Sequence, residues 1–298
     1  MAAEDKTSTD TGDTRAGFLL ALAAYLLWGF LPFYMKAVAH IPPAEVVAHR
    51  VIWSIPIAAA VLIWLKRTEE LKNAIRDPRM LAQAALTASI ISFNWGVYVW
   101  AIGTGRALET ALGYYINPLF SIFLAFMLLG ERLRPLQYVA IGLAAFAVLI
   151  VTWGEGVPWV SLALTVSWGF YAYFRKALPI GPNQGFTLEV LILSLPALAY
   201  IIWLAATGKG HFLADSHDTG LLMLAGAVTA VPLMLYGNGA KRLRLSTIGI
   251  MQYIAPSMIF VIAIFIFREP FDATRAAAFG LIWIALLLYT FVMFRNRS

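Results

Sequence analysis

Tyr25-Leu26-Leu27-Trp28-Gly29-Phe30-Leu31-Pro32-Phe33-Tyr34-Met35-Lys36-Ala37 decides how this chain is read, because an echo of it returns in the second half. At a shift of 140, Trp28-Gly29-Phe30 falls on Trp168-Gly169-Phe170, Phe33 on Tyr173, Lys36 on Lys176 and Ala37 on Ala177. A shift of 138 lays Tyr115-Ile116-Asn117-Pro118 on Tyr253-Ile254-Ala255-Pro256, Tyr98 on Tyr236, Arg106 on Arg244, Glu131 on Glu269 and Gly142 on Gly280. A shift that drifts so little over so many positions marks two copies of one unit.

The unit is built for lipid. Hydrophobic residues make up 61% of the chain and charged residues only 13%, and the mean hydropathy is +0.76. Soluble domains carry charge on roughly a quarter of their residues, so the fold class is an all-α polytopic membrane protein. With no Cys, disulfides, thiolate metal sites and Cys nucleophiles are excluded together, and the four His (His40, His49, His211, His217) have no metal-ligand spacing. No metal and no cofactor are expected. Residues 1–16 read as a polar, disordered tail rather than a signal peptide.

Ten apolar runs are long enough to cross a hydrocarbon core, which takes about 20 helical residues. They lie near 17–38, 44–65, 79–103, 107–129, 135–153, 157–178, 184–206, 219–240, 245–267 and 275–294. With the amino terminus in the cytoplasm, 16 of the 22 Lys and Arg fall on the inner side and six (Lys36, Arg50, Arg106, Lys209, Arg268, Arg275) on the other. The positive-inside rule then places both termini in the cytoplasm, and the net charge of +6 is explained by topology without a nucleic-acid partner. Five spans per copy is an odd number, so the copies at 17–153 and 157–294 enter the membrane from opposite sides, leaving a short cytoplasmic tail at 295–298. Inverted repeats of this kind characterise transporters, whose two halves exchange similar packings around one central site.

Polar residues in the spans form stripes. Thr110, Tyr114, Asn117 and Ser121 share one helical face; so do Thr87, Asn94 and Tyr98; so do Ser161, Thr165 and Trp168; and Tyr25, Trp28 and Pro32 lie together. Unpartnered amides and hydroxyls are costly in hydrocarbon, so the stripes face the bundle interior, either as helix-to-helix hydrogen bonds or as the wall of a site. Trp28, Trp95, Tyr98, Tyr114, Trp168 and Tyr236 sit well inside spans rather than in the interfacial belts. The substrate-binding set expected is Tyr25, Trp28, Asn94, Tyr98, Tyr114, Asn117, Trp168, Tyr236, Asn238 and Gln252, with Asn94, Asn117, Asn238 and Gln252 hydrogen-bonding the polar ends of a small, partly apolar solute. Pro118 and Pro256 match across the copies and are the expected hinges.

Ionisable groups are the usual clue to ion coupling, yet Glu45, Glu109, Glu131, Glu155, Glu189 and Glu269 all fall near span ends. His49 and Arg50 read as the deepest titratable pair, either a proton-linked site or side chains snorkelling to the interface. Gly142, Ala276 and Gly280 suggest close helix packing, within the chain or between two copies as a homodimer.

His49-Arg50-Val51-Ile52-Trp53-Ser54, Leu112-Gly113-Tyr114-Tyr115-Ile116-Asn117-Pro118, Gly130-Glu131-Arg132 and Arg242-Leu243-Arg244-Leu245-Ser246-Thr247 resemble the RarD family, within the EamA group of the drug/metabolite transporter superfamily. The resemblance runs from about residue 17 to 294. It implies a ten-helix bacterial inner-membrane protein with inverted five-helix repeats that exports small metabolites, amino acids (aromatic ones included) or drugs. Ala255 stands opposite Asn117, so polar contact there is one-sided. A membrane-embedded lipid-modifying enzyme needs paired carboxylates or a nucleophile with a base, and no span carries such a cluster at its middle. A structural protein without transport needs no pocket between duplicated halves.

Overall fold

The computed structural model describes residues 14–129 and 135–295. Residues 1–13, 130–134, with Glu131 among them, and 296–298 lie outside the described residues.

Those residues form α1 (Arg15–Ala37), α2 (Pro43–Trp64), α3 (Thr68–Arg76), α4 (Pro78–Gly103), α5 (Ala107–Leu129), α6 (Pro135–Glu155), α7 (Trp159–Ala177), α8 (Pro182–Thr207), α9 (Ser216–Ala240), α10 (Leu245–Met251), α11 (Ile254–Val261) with a π-helical turn Ile262–Ile266, and α12 (Ala273–Arg295). Local chemistry sets the ends. Thr14, Asp77 and Asp215 cap α1, α4 and α9 by accepting from backbone N–H groups of the first turn. Pro43, Pro78 and Pro182 open α2, α4 and α8, where the missing N–H is one the helix would leave unpaired anyway. Gly208, at φ 65°, stops α8 in the left-handed conformation.

Among the described residues nine helical segments are long and apolar enough to span a membrane. α7 is not one of them, because Ser161, Thr165, Ser167 and Arg175 dilute its apolar character, although it packs between α4 and α5 inside the bundle. Two features depart from the run of apolar stretches. The stretch 245–267 is not one helix but α10 and α11, broken at Gln252–Tyr253, with the π turn beyond. The basic segment after α2 holds a short amphipathic helix, α3, which carries Glu69 and Glu70 in its first turn and Arg76 in its last and lies on α4 and α8. A hydropathy window as long as a membrane span averages such a segment away.

The packing is reciprocal. α1 packs on α9 as α7 packs on α4; α2 on α9 as α8 on α4; α5 on α7 as α11 on α1; and α2–α8, α5–α11 and α6–α12 pair directly. Exchanging α1, α2, α4, α5 and α6 for α7, α8, α9, α11 and α12 maps the first three contacts onto their counterparts and the last three onto themselves. Side chains repeat the pattern. A Cβ on Gly29 would collide with Met258, and one on Gly169, the match of Gly29, would collide with Phe120, the match of Met258. Two matched pairs touch each other, Trp28 with Trp168 (6.4 Å between ring centroids) and Tyr115 with Tyr253 (6.5 Å, stacked).

The seam between α6 and α12 is lined by Ala140, Ala144, Ala147, Ala278 and Ala285, all buried. Gly142 and Gly280 do not contribute to it: a Cβ on either would meet open space. The close packing expected of them inside the chain is therefore absent, since both sit off the face that the alanines bury.

Candidate functional site

Where the two sets of helices meet, a cavity of about 120 Å³ is lined by residues from α1, α2, α4, α5, α7, α9 and α11 and by Gln252 at the break. At roughly 10–15 Å³ per water-sized site, that volume admits on the order of ten non-hydrogen atoms, the size of a small metabolite.

One wall is aromatic. Tyr25 meets Trp28 edge-on at 5.6 Å and Tyr236 at 5.7 Å, Trp28 lies 5.4 Å from Tyr236, and Trp168 closes the group against Trp28. Tyr98 and Tyr114 form a second pair at 5.9 Å. Helix periodicity explains the grouping: Tyr25 and Trp28 are three residues apart on one face of α1, and the close approach at Gly29 draws α1 against α11.

Of the ten residues expected to bind substrate, nine line this cavity: Tyr25, Trp28, Asn94, Tyr98, Tyr114, Asn117, Trp168, Tyr236 and Gln252. Asn238 does not. Its amide donates to Asn183 Oδ1 (3.0 Å) and Met234 O (2.8 Å), tying α9 to the start of α8. Asn94 faces the cavity but spends its amide donors on Leu164 O (3.2 Å) and Ser167 Oγ (2.8 Å) of α7. Gln252 donates to Gly249 O (3.1 Å). Asn117 keeps a buried, unpartnered Oδ1.

The hydroxyl stripes divide. Thr110 and Ser121 bond carbonyls of their own helix, and Ser161 and Thr165 reach Glu109 O (2.7 Å) and Gly113 O (2.9 Å), stitching α7 to α5. Pro256 lines the cavity three residues into α11, beside the break; Pro118 sits within the unbroken α5.

Arg50, which the sequence left as half of a proton-linked site or a snorkelling side chain, faces the bundle interior. It is 4% exposed and lines the cavity, with Nε donating to Thr229 Oγ1 (2.9 Å) and the guanidinium 4.8 Å from the Trp95 ring centroid. His49 is buried beside it but does not line the cavity. Its Nδ1 accepts from Trp53 Nε1 (3.2 Å) and its ring lies 4.7 Å from Phe212. Thr229, Leu31, Leu233 and Ile259 also belong to the wall, and no stripe singled them out, since each is an ordinary apolar or hydroxyl residue of a transmembrane helix.

Nor are the carboxylates confined to span ends. Glu189 is 2% exposed and lies seven residues past Pro182, about 10 Å along α8 at ~1.5 Å per residue. It accepts from Thr87 Oγ1 (2.8 Å) and Tyr171 OH (3.1 Å) and pairs with Arg175 Nε (3.3 Å). Arg175 and Tyr171 on the preceding α7 and Thr87 on α4 together make that depth tolerable, a convergence of three helices that the linear sequence hides.

Residues 15–153 match the model of the EamA-like transporter family. Protein RarD of Streptomyces exfoliatus is 40% identical over 286 residues, covering 95% of this chain and 91% of that protein. Protein RarD of Escherichia coli (strain K12) is 37% identical, covering 94% and 95%. The chain belongs to the RarD family. Its members within the EamA group are transporters of the drug/metabolite type, and a multi-pass bacterial inner-membrane transporter is what this chain is. The Chloramphenicol-sensitive protein RarD of Pseudomonas aeruginosa is 31% identical, covering 91% of this chain and 92% of that protein. A solved crystal structure superimposes with a TM-score of 0.60 at 20% identity, covering 93% of this chain and 98% of its own, a likeness of fold alone.

Proposed function

We propose that this RarD-family protein exports small solutes, amino acids foremost and aromatic ones among them, by alternating access around the central cavity. Both termini lie in the cytoplasm in this reading. The ten spans form inverted copies at 17–153 and 157–294 related by a two-fold axis in the membrane plane, and α7 is the tenth span.

One observation carries the mechanism: matched residues of the two copies, Trp28 and Trp168, meet at the cavity wall. Residues related by a two-fold axis touch only near that axis, so the cavity lies where the two halves would exchange conformations. The amino-acid reading is supported by a cavity that pairs aromatic faces with the amides of Asn117 and Gln252. A mainly aromatic wall also suits a neutral drug, and the name of the Pseudomonas relative gives chloramphenicol as the compound to try.

The test is uptake of a radiolabelled amino-acid panel and of chloramphenicol into proteoliposomes, with and without an imposed pH gradient. Aromatic amino acids are expected to enter, and Trp168→Ala and Asn117→Ala to reduce entry at least ~10-fold, as loss of one buried contact of roughly 1.4 kcal/mol would. Uptake of chloramphenicol and of no amino acid would overturn the substrate assignment, and uptake unchanged in both variants would move the site elsewhere.

A further inference from the structure

We propose that Arg50 is the anchor for a carboxylate on the transported solute; this rests on taking the central cavity as the translocation site. Among the described residues lining the cavity, Arg50 is the one Lys, Arg, His, Asp or Glu. Its guanidinium stays charged under all ordinary conditions and offers five donors in a planar fork matched to a carboxylate.

Very little of that capacity is used. Nε donates to Thr229, the ring of Trp95 covers one face, and Nη1 is buried without a hydrogen-bond partner. Other arginines that are partly or wholly buried have carboxylate partners: Arg175 with Glu189, Arg106 with Glu109, Arg275 with Glu155. Arg50 has no carboxylate within ion-pair distance among the described residues.

A buried, uncompensated charge is strongly unfavourable, so an anion entering the cavity relieves a penalty already present in the empty protein. Tyr98 OH and Asn117 Oδ1 are likewise buried, unpartnered and in the same wall, one able to donate to the anion and the other able to accept from an ammonium. Among the described residues, no acidic side chain lines the cavity to hold that ammonium as a salt bridge. The carboxylate therefore carries recognition and the amine is secondary. The solute class is a monocarboxylate with an apolar body, of which an aromatic amino acid is one instance.

The experiment is a calorimetric titration of the full-length protein in detergent with phenylalanine, with 3-phenylpropanoate, which lacks the amine, and with phenylalaninamide, which lacks the carboxylate. Wild type, Arg50→Gln and Arg50→Lys are compared, each first shown monodisperse by size exclusion. Wild type is expected to bind both carboxylates and to bind the amide roughly 30-fold or more weaker. Arg50→Gln should erase that preference and Arg50→Lys restore part of it, a pattern that a merely structural arginine would not give. Should 3-phenylpropanoate bind through Arg50 and phenylalanine not, the anchor stands and the amino-acid reading falls. Equal binding of phenylalanine and its amide to wild type, or an unchanged preference in Arg50→Gln, overturns the anchor and leaves the amino-acid reading intact. If none of the three binds, both are overturned.

Discussion

Arg50 on α2 and Glu189 on α8 occupy matched places, for Pro43 and Pro182 open their helices and each charge lies seven residues on, a constant offset of 139. Each reaches a threonine on a helix of the opposite set, Arg50 to Thr229 on α9 and Glu189 to Thr87 on α4. The likeness ends there. Glu189 is satisfied by Arg175, Thr87 and Tyr171, whereas Arg50 keeps an orphan nitrogen in a cavity. One framework thus holds a closed ion pair in one half and an open charge in the other. The matched positions share a geometry and their neighbours divide the work: α8 is locked to its surroundings, and α2 is left wanting a ligand.

The largest expected effect breaks this comparison through stability. Glu189→Leu leaves the half-buried Arg175 without its carboxylate, and breaking a buried pair costs about 3–5 kcal/mol; Arg175 retains some exposure, 16% of its side chain, and its bonds to Gly181 O and Pro182 O, so the lower end is expected. Arg50→Leu removes a charge that has no partner and should leave stability unchanged or raise it by about 1 kcal/mol. Thermal or denaturant unfolding of the detergent-purified proteins checks both. If the two variants lose stability equally, Arg50 has a partner in the folded protein and the contrast is wrong.

A smaller effect sharpens the comparison at the helix crossings. Gly169→Ala drives a methyl into the Phe120 ring and Gly29→Ala drives one into Met258. Overpacking costs roughly 1–3 kcal/mol. The Phe120 ring can shift by turning about its side-chain bonds, whereas at Gly29 the methyl also meets Met258 Cβ, at 2.9 Å, which no side-chain rotation moves. Gly29→Ala should therefore be the more destabilising, by about 1 kcal/mol, in the same unfolding assay. Gly142→Ala, which meets nothing within 4 Å, serves as the control and should be neutral or slightly stabilising.

Much of this architecture is legible in the amino-acid order itself, and particular residues show why. Trp28, Trp168, Tyr98 and Tyr236 announce themselves by recurring at a nearly fixed offset deep in apolar runs, where neither lipid nor interface explains them. Helical periodicity then puts Tyr114 and Asn117 on one face. Arg50 and Glu189 escape such a reading because the linear sequence gives a charge only its depth along its own helix; whether it is tolerated depends on what the helices packed around it bring. Asn238 shows the converse: its amide looks like a ligand group, yet its partner Asn183 lies 55 residues away at the start of α8. The break between α10 and α11 leaves no mark beyond Pro256, because its matched residue Pro118 sits in a helix that continues.

The smallest effect concerns the turn between α11 and α12. The Glu269 carboxylate accepts from the backbone N–H of Ala107 (2.6 Å) and Leu108 (2.8 Å) at the start of α5, a cap supplied from the other half of the chain. Burial pushes its carboxyl above the ordinary value of 4.5, against the pull of those two N–H groups. A carboxyl whose value is raised on folding contributes stability below its unfolded value and loses that contribution as pH rises through the folded one. Unfolding measured from about pH 4 to 8 should therefore show a shallow decline attributable to this group, and Glu269→Gln should flatten it while costing on the order of 1 kcal/mol for the weakened cap. Glu131 stands at the matched position in the first copy, and under two-fold symmetry Glu131→Gln should behave alike. A flat profile in Glu269→Gln and an unaltered one in Glu131→Gln would mean that the two halves differ at this matched pair as well as at Arg50 and Glu189.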